Sequence, residues 1–542
     1  MAKNRKKVVL FYPKVEMKKT EGSIPLSLLA VAAPLLRDGF KPVIIDENIE
    51  DDYKDHLFKV AKDSICFCVT TMTGPQIDLA LKASMFIREN FPLLPIVWGG
   101  WHPSILPHQT ASHNLVDIVV KGQGENTLLE VVSSLNNRGD ISKISGITYK
   151  RDGNIIANED CPFCDVNEFP PMPFHLLDIK RYMGKERHIS YSSSRGCPYR
   201  CGFCANLTVY HRRWCGLSPE RVLNDLENLH KNYGAEYIDF VDTNFFINKN
   251  RLKAICQGII DYGLKIKWSA SVRAEQIIGL EKDLMDLVKR SGFSLAALGL
   301  ESGSQRILDM MNKDSKVEDA HQCINILKKY EVGAVGTLMV GIPGETEDDR
   351  KETYCLVKEI KEQYKDTRLV ILFYTPYPGT PLYKKSIKFG MEEPQSLEDW
   401  AKFSHNSVNI PWLDEGIEKE VERAVTGVYS LDFESVLRKL LIKGLKNIVF
   451  YGAGDTAKIA LDVANSLGLN ILAFADSNRE RWGKRFLDHV IISPEEIASA
   501  KPQAVAITSY GYQEEIYEDI KHLNQEGIEV VKLYQNIVAY LI

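Results

Sequence analysis

Short apolar runs alternate with amphipathic segments along the first 135 residues. The runs at 8–12, 42–46, 64–70, 96–99 and 118–121 predict strands, and apolar positions at helical spacing predict helices at 27–37, 76–89 and 125–136. Strands that alternate with helices predict an α/β fold with a doubly wound parallel sheet. Because ligands of such sheets bind outside the carboxyl ends of the strands, the first domain is predicted to be a binding module.

A second series of strand–helix units begins near residue 188. Strands near 190–194, 237–241, 267–271, 296–300, 333–341 and 369–374 are separated by helices such as 219–233 and 347–363. Six such units predict a (β/α)6 partial TIM barrel, with its chemistry at the carboxyl ends of the strands. Between the two series, a hairpin around Asp152-Gly153 and a proline-rich segment that extends to about Lys185 predict an ordered linker.

A third α/β unit follows an amphipathic segment at 414–443, which we expect to be a helical connector. The third unit has a strand at 447–451, a helix at 457–467 and a strand at 471–474. We therefore expect a doubly wound, Rossmann-like domain at 1–140, a hairpin and linker at 141–185, the partial barrel at 186–405, the connector at 406–443 and a small Rossmann-like domain at 444–542.

Composition limits the function classes. The chain has 542 residues, enough for three or four domains, and its 67 Lys and Arg against 72 Asp and Glu give a net charge of -5, which disfavours nucleic-acid binding. The longest apolar stretch, 28–36, is too short for a transmembrane segment, and the run at 8–12 is too short for a signal peptide. Eleven cysteines, an odd number, favour a reducing, cytoplasmic compartment over a disulfide framework.

Three cysteines lie close together directly after the first barrel strand. Cys197, Cys201 and Cys204 fall within eight residues, and as thiolates they suit a four-iron cube in which one iron stays open for another ligand. Two alternatives stay open, namely unrelated thiols and a zinc site completed by His211 or Cys215. The separate pair Cys161 and Cys164 has no matching second pair, so ordinary thiols are favoured there over a redox or metal role.

The spacing of these cysteines resembles the signature of radical S-adenosylmethionine (SAM) enzymes, and the α/β domain before it resembles that of the cobalamin (B12)-binding subgroup. Further segments resemble the successive strand-end motifs of that subgroup: 237–245, 268–273, 298–305, 341–346 and 374–383. The resemblance covers about residues 5–410. It implies a [4Fe–4S] cluster on Cys197, Cys201 and Cys204, with SAM on the open iron and cobalamin in the first domain.

The resemblance also implies ligand-binding residues. For SAM it implies Arg273 on the carboxylate, Glu301 and Asp242 on the amine or the ribose, Phe203 and Tyr374 against the adenine, and Asn244 as a further contact. For cobalamin it implies Pro25, Thr71, Thr73, Gly99, Gly100, Trp101, His102, Gly124 and Glu125. The structural alternatives are that the charged residues only cap strand ends or pair with each other, and that Trp268 is a core residue. The D-x-H-x-x-G motif, whose histidine binds cobalt in other cobalamin proteins, is missing from this sequence, so we expect base-off cobalamin without a histidine ligand.

The expected reaction follows the subgroup. A 5′-deoxyadenosyl radical removes hydrogen from an unactivated carbon of a small molecule, methylcobalamin supplies the methyl group, and a second SAM restores it. Such an enzyme needs an electron donor such as flavodoxin or ferredoxin. The alternatives are a cobalamin-linked cyclase or rearrangement enzyme without methyl transfer and, in another class, a metal- or nucleotide-sensing binding protein.

The C-terminal unit carries a separate motif. Gly452-x-Gly454-x-x-Ala457 follows a strand, opens a helix and precedes Asp476 by about twenty residues, as in a dinucleotide fingerprint. The unit resembles small Rossmann-like domains of some sugar-nucleotide acyltransferases. A nucleotide, a nucleotide-linked substrate and no ligand are all compatible with this short domain.

Overall fold

The computed structural model describes residues 6–15, 22–184, 186–364, 367–403, 410–413, 415–509, 512–534 and 538–541. The expected domain boundaries at 185 and 405/406, and Asp414 at the start of the amphipathic segment, lie outside these residues. None of the described helices is long and apolar enough to cross a membrane.

The first domain is a seven-stranded sheet with helices on both faces. Its strands are β1 (Lys7–Tyr12), β2 (Lys41–Asp46), β3 (Ser64–Thr70), β4 (Ile96–Gly99), β5 (Ile118–Val120), β6 (Ile147–Arg151) and β7 (Asn154–Ala157), and its helices are α1 (Leu26–Arg37), α2 (Tyr53–Ala61), α3 (Gln76–Asn90), α4 (Trp101–Ile105), α5 (Pro107–Ser112) and α6 (Gly124–Asn137). The strand order is β2-β1-β3-β4-β5-β6-β7, parallel through β5. The hairpin around Asp152-Gly153 therefore forms the antiparallel edge of this sheet.

The sequence pattern did not predict α2, α4 or α5. Helices α4 and α5 are only five and six residues long, too short for apolar spacing to reveal them. Helix α2 begins after Asp51-Asp52, and its nine residues bury only Leu57, Val60 and Ala61. The doubly wound fold that the alternation predicted is confirmed.

The second domain is the predicted partial barrel. Its elements are β8 (His188–Tyr191), β9 (Ser194–Gly196), α7 (Ala205–Tyr210), β10 (Trp214–Gly216), α8 (Pro219–Tyr233), β11 (Tyr237–Phe240), α9 (Lys249–Asp261), β12 (Lys267–Val272), α10 (Ala274–Ile278), α11 (Lys282–Arg290), β13 (Phe293–Glu301), α12 (Gln305–Met310), α13 (Val317–Lys329), β14 (Gly333–Val340), α14 (Glu347–Gln363), β15 (Arg368–Phe373), α15 (Pro381–Lys388) and α16 (Leu397–Ala401). Strands β8, β11, β12, β13, β14 and β15 are parallel neighbours in chain order.

The single strand expected at 190–194 is two strands. Strand β8 ends at Tyr191, and β9 starts at Ser194 and pairs with β10 as a separate antiparallel ribbon. The chain turns at Ser193 because the backbone N–H of Ser193 donates to the Asp242 carboxylate instead of continuing the ladder. The chain then continues through β9 directly into the cysteine loop.

Helix α17 (Glu415–Ile442) leads to the third sheet. That sheet is formed by β16 (Asn447–Tyr451), β17 (Asn470–Ala475), β18 (Arg485–Phe486), β19 (His489–Ile492), β20 (Ala504–Ile507) and β21 (Glu529–Lys532), with helices α18 (Asp455–Ser466) and α19 (Gln513–Ile520). The last strand, β22 (Val538–Leu541), leaves this unit and pairs in parallel with β15 as the seventh strand of the barrel sheet. Helix α17 and strand β22 thus connect the third unit to the barrel at both ends.

Backbone hydrogen bonds join the first domain to the first barrel strand. Ser190 donates from both its N–H and its hydroxyl to the carbonyl of Gly22, at 2.8 and 3.0 Å. The N–H of Ile24 donates to the Ser190 hydroxyl. Gly22 has φ +83, and a Cβ there would lie 2.6 Å from the His188 carbonyl oxygen, so only glycine fits this contact. The segment directly before α1 is therefore fixed against β8.

A cluster of buried aromatic side chains surrounds Trp268 of β12. The Trp268 ring is fully buried, with ring centroids 4.5 Å from Phe293 and 5.4 Å from Phe245, and its indole N–H donates to the Ser291 carbonyl. The structural alternative for Trp268, a core residue, is thus what the structure shows.

We expect Trp268→Ala to lower the free energy of unfolding by about 3–5 kcal/mol, because it removes a large buried ring and leaves a cavity. Thermal unfolding followed by circular dichroism measures the effect as a lower midpoint. Phe58→Ala, at a side chain that is 46% exposed, is the control and should change stability by less than about 0.5 kcal/mol. Equal shifts for the two variants would contradict the role of Trp268.

Candidate functional site

The three cysteines lie on one loop between β9 and α7, at the carboxyl ends of the barrel strands. Cys201 is buried, Cys197 and Cys204 are half-buried, and all three are free thiols. Gly202 holds the loop to the opposite side of the barrel mouth: its N–H donates to the Met311 carbonyl, and its carbonyl accepts from the Leu382 N–H. Burial raises the pKa of the Cys197 and Cys204 thiols, so binding of a metal would displace their protons.

A buried carboxylate fixes the backbone that leads into this loop. Asp242, at the end of β11, is 1% exposed and accepts hydrogen bonds from the Ser193 N–H, the Ser193 hydroxyl and the Ser194 hydroxyl. The guanidinium of Arg251 donates to the carbonyl and the hydroxyl of the same Ser193. Both oxygens of Asp242 are therefore engaged within the chain, where they fix the start of the cysteine loop, and a contact of Asp242 with SAM stays a prediction.

Arg273 contacts the cysteine loop directly. One guanidinium nitrogen lies 3.4 Å from the Cys201 sulfur, another donates to the Lys313 carbonyl, and the group lies 4.0 Å from the centroid of the Tyr199 ring. Glu275 accepts from its Nε. Arg273 thus joins the cysteine loop to the segment that contains Lys313.

Glu301 and Lys313 form a buried ion pair beside Arg273. Their side chains are 9% and 6% exposed, and Lys313 Nζ lies 2.7 Å from Glu301 Oε1. Glu301 adopts φ +67, a left-handed conformation that is unusual for a non-glycine residue. A Cβ at Gly299, two residues earlier, would lie 2.2 Å from this carboxylate, so glycine makes room for it. Sequence reasoning missed Lys313, whose only signal is its position after the strand-end motif.

The remaining residues assigned to SAM lie nearby. Phe203 packs against a buried cluster that contains Tyr374, Ile307 and Leu382, and Lys313 Nζ lies 6.0 Å from the centroid of the Phe203 ring. Asn244 is 2% exposed; its Oδ1 accepts from the Phe246 N–H, and its Nδ2 has no hydrogen-bond partner among the described residues.

A cavity of about 520 Å³ lies between the first domain and the barrel. Its apolar floor belongs to the first domain and is formed by Leu10, Leu28, Val31, Val97, Val120 and Leu128. Its opposite wall belongs to the barrel and is formed by Ser190, Ser192, Ser194, Arg195, Gly196, Val209, Tyr210, Val241 and Thr243. The cavity thus extends from the strand ends of the first sheet to the residues directly before Cys197.

Five of the residues assigned to cobalamin line this cavity, namely Gly99, Gly100, Trp101, Gly124 and Glu125. Gly100 has φ +98, and a Cβ there would lie 2.6 Å from the Thr70 hydroxyl, so the strand-end loop requires glycine. Glu125 Oε1 lies 3.9 Å from Nε of Arg195, across the two domains. Glycine loops around an apolar floor fit a large flat ligand.

Pro25, Thr71, Thr73 and His102 lie outside the cavity lining. His102 is fully buried, hydrogen-bonds to Thr73 and packs against the Trp400 ring at 5.6 Å. Burial lowers the pKa of His102 to about 3, so it is a neutral core imidazole. The cavity-lining residues of the described chain include no histidine, and base-off cobalamin without a histidine ligand stays a prediction.

The other cysteine arrangements do not form a metal site. In the described ranges, no three His, Cys, Asp or Glu side chains converge where one metal ion would bind, as a zinc site completed by His211 or Cys215 would require. The thiolates of a four-iron cube, in contrast, bind separate irons. Cys215 donates to Asp165, and the thiol of Cys161 donates to backbone carbonyls of the 121–123 loop.

The glycine loop of the third unit is held by hydrogen bonds to residues of the same unit. Gly452 has φ +112, and the Asp476 carboxylate accepts from the N–H groups of Ala453 and Asn478. Arg481 donates to the Ala453 carbonyl and lies 3.3 Å from Asp476. The acid that a dinucleotide fingerprint offers to a ribose is thus engaged, and a nucleotide at Gly452, Gly454 and Asp476 stays a prediction.

Each of the three units matches the profile of a known protein family. The profile of the B12 binding domain matches residues 21–132, that of the Radical SAM superfamily matches residues 191–357, and that described as C2185-like, N-terminal matches residues 444–531. The chain is 31% identical over 394 residues to an uncharacterised methyltransferase of Pyrococcus horikoshii, a match that covers 70% of this chain and 83% of that protein.

More distant relatives include the anaerobic magnesium-protoporphyrin IX monomethyl ester cyclase of Synechocystis sp., which is 25% identical over 66% of this chain and 72% of its own length. The fold is similar to that of the radical SAM methyltransferase TsrM from Kitasatospora setae, solved with cobalamin and a [4Fe–4S] cluster, at a TM-score of 0.61 and 17% identity over 72% of this chain and 79% of that one. From the profile matches and the Pyrococcus relative we conclude that this chain belongs to the radical SAM enzymes that carry an N-terminal B12-binding domain.

Proposed function

We propose that this protein is a cobalamin-dependent radical SAM methyltransferase that methylates an unactivated carbon of a small molecule. The observation that carries the proposal is the shared cavity, which runs from the glycine loops of the B12-binding domain to Arg195 and Gly196, directly before Cys197. One bound cobalamin in this cavity would face the barrel mouth, where radical SAM chemistry takes place. The methyltransferase name of the 31% identical relative supports the same reaction.

The residues present fit the three cofactors. Cys197, Cys201 and Cys204 would supply three thiolates for a [4Fe–4S] cluster, and the Arg273 guanidinium contacts the Cys201 sulfur. The apolar floor and glycine loops of the cavity suit base-off cobalamin. When bound, these groups supply a 5′-deoxyadenosyl radical and a transferable methyl group, while the protein orients the reactants and excludes water.

The Glu301–Lys313 pair is the site that we propose for the amino group of SAM. Glu301 lies among the motifs that resemble those of the family, and the 2.7 Å contact with Lys313 Nζ orients its carboxylate in a buried position. The pair is linked to the cysteine loop through Arg273, which donates to the Lys313 carbonyl and contacts Cys201. Binding of SAM and ligation of the cluster would therefore depend on the same small set of side chains.

An electron donor and a reducing compartment complete the proposal. Because the cleavage of SAM consumes one electron, we propose a flavodoxin- or ferredoxin-type carrier as the partner. All eleven cysteines are free, which fits the cytoplasm.

A cobalamin-linked cyclase is the second candidate, because the chain resembles the Synechocystis cyclase over 66% of its length. The two reactions differ in what happens to SAM. We expect the anaerobic protein, reconstituted with iron, sulfide and hydroxocobalamin and reduced by dithionite, to form both 5′-deoxyadenosine and S-adenosylhomocysteine. With SAM that carries a deuterated methyl group, mass spectrometry should find the label on cobalamin even when substrate is absent.

The products decide between the candidates. Formation of 5′-deoxyadenosine without S-adenosylhomocysteine and without labelled cobalamin would favour the cyclase. If neither product forms, both candidates are contradicted.

We expect Cys201→Ala to lose the cluster and the cleavage of SAM, because a cube held by only two protein thiolates is not retained. Iron and sulfide analysis and the formation of 5′-deoxyadenosine measure the two losses. Cobalamin binding, which depends on the first domain, should persist. The matched control is Cys215→Ala, at a half-buried thiol of β10 outside the loop. About four irons per chain in Cys201→Ala would contradict the cluster assignment.

Lys313→Met should weaken SAM binding by about tenfold, a change of roughly 1.4 kcal/mol, and should also destabilise the fold because Glu301 is left as an unpaired buried charge. The double variant Glu301→Gln/Lys313→Met should regain stability, since no buried charge is unpaired, but not affinity for SAM. Equilibrium dialysis with labelled SAM and thermal unfolding measure the two effects separately.

Lys316→Met, at a neighbouring exposed lysine, is the control. Full SAM affinity in the double variant would show that the pair is only structural.

A further inference from the structure

Three exposed arginines lie on the cysteine loop or in the segment that contacts it. Arg200 belongs to the loop itself, is 55% exposed and forms two hydrogen bonds, of 2.7 and 2.9 Å, with Asp314. Arg212 and Arg213 follow α7 and are exposed, and Arg212 Nε donates to the carbonyl of Pro198 in the same loop. We call Arg200, Arg212 and Arg213 the arginine patch.

Two members of the patch carry uncompensated charge. Arg213 contacts the Tyr210 carbonyl and lies 5.3 Å from the centroid of the Phe163 ring. In the part of the chain that the structure describes, no carboxylate forms an ion pair with Arg212 or Arg213. The Asp314 carboxylate, already paired with Arg200, lies in the field of Arg212, and hydrogen bonding to Arg200 is the main cause that holds the pKa of Asp314 below its usual range.

The backbone fixes these two arginines in place. His211 and Arg212 adopt φ 50 and 62, two consecutive left-handed residues that are not glycine. This conformation is energetically unfavourable for residues other than glycine. Two hydrogen bonds stabilise it: the His211 N–H donates to the Leu207 carbonyl, and the Arg213 N–H donates to the Tyr210 carbonyl. On the facing strand, a Cβ at Gly196 would lie 2.1 Å from the Arg213 carbonyl, so the turn packs tightly against the start of the cysteine loop.

The sign of this patch is opposite to that of the whole protein, whose net charge is -5. A local positive field on a negative protein selects and orients an acidic partner, and it acts mainly on the rate of association. The patch also lies next to the cysteines, because Arg200 directly precedes Cys201 and Arg212 contacts the carbonyl of Pro198, which directly follows Cys197. A partner that binds here is therefore close to the group that the cysteines would hold.

We propose that the arginine patch is the docking surface for a small acidic protein that carries single electrons. The inference rests on the proposed function, because it assumes that Cys197, Cys201 and Cys204 hold a reducible cluster. In each encounter the reduced carrier loses one electron and is oxidised, and the cluster gains that electron and is reduced. No covalent bond forms or breaks in this step. Nucleic acid and anionic membranes also attract arginines, but only an electron carrier accounts for the position of the patch on the cluster loop.

The test compares two reductants in one enzyme. Arg212→Glu/Arg213→Glu is reconstituted as holoenzyme, and 5′-deoxyadenosine formation is driven either by an acidic flavodoxin with its NADPH-dependent reductase or by dithionite. We expect the flavodoxin-driven rate at low ionic strength to fall at least tenfold and the dithionite-driven rate to stay within twofold of wild type. Salt should slow the flavodoxin-driven reaction of the wild type and have little effect on the variant.

Two further variants separate charge from folding. Arg212→Lys/Arg213→Lys keeps the charge and should keep most of the flavodoxin-driven rate. Lys54→Glu/Lys59→Glu reverses two exposed charges on α2 of the first domain and should leave both rates unchanged. The proposal is overturned if the glutamate variant keeps the flavodoxin-driven rate, or if both rates fall by the same factor.

Direct binding tests the surface independently of turnover. Anisotropy of labelled flavodoxin should show binding to the wild-type holoenzyme that is weakened at least tenfold in the glutamate variant. Equal binding by the two proteins, or weakened binding only of a DNA oligomer or of anionic vesicles, overturns the proposal. Absence of 5′-deoxyadenosine with dithionite in the wild type would instead contradict the proposed function, while the binding measurement still decides the surface.

Discussion

A buried carboxylate at the end of β11 sets the geometry of the whole site. Asp242 draws the Ser193 N–H out of the barrel ladder, and this turn ends β8, starts the β9 ribbon and directs the chain into the cysteine loop. Ser192 and Ser194, on either side of the turn, line the cavity. The cysteine loop and the barrel wall of the cavity therefore depend on one set of hydrogen bonds to a charged group, each worth about 1.5–3 kcal/mol.

The order and type of the main elements could be predicted because their cores are continuous in sequence. Alternating strands and helices gave the doubly wound sheet and the partial barrel, and helices α8 and α14 begin and end where the apolar spacing indicated. The break after Tyr191 could not be predicted, since its cause, Asp242, lies about fifty residues away. The pairing of β22 with β15 joins residues about 170 positions apart, which local patterns do not reveal.

The candidate site was predictable where the chemistry is local and not where it depends on orientation. Three cysteines within eight residues are close in any fold, and the glycine loops lie at strand ends by topology. Which way a side chain points depends on tertiary structure. His102 follows Gly99-Gly100-Trp101 in sequence, yet it packs against Trp400, which belongs to a different buried cluster from the residues of the cavity floor. Lys313 and Arg251 carry no local signal, although each contacts a residue of the site.

The contact between Gly22 and Ser190 has an evolutionary consequence. The carbonyl of Gly22 accepts two hydrogen bonds from Ser190, and a Cβ at residue 22 would clash with the His188 carbonyl. The two domains therefore share a seam, formed by Gly22, His188 and Ser190, in which a substitution on one side requires a change on the other. Recombination that replaced the first domain with one from a distant relative would break this seam unless the glycine came with it. The two domains are therefore expected to be inherited as one unit, whereas surface loops far from the seam are free to diverge.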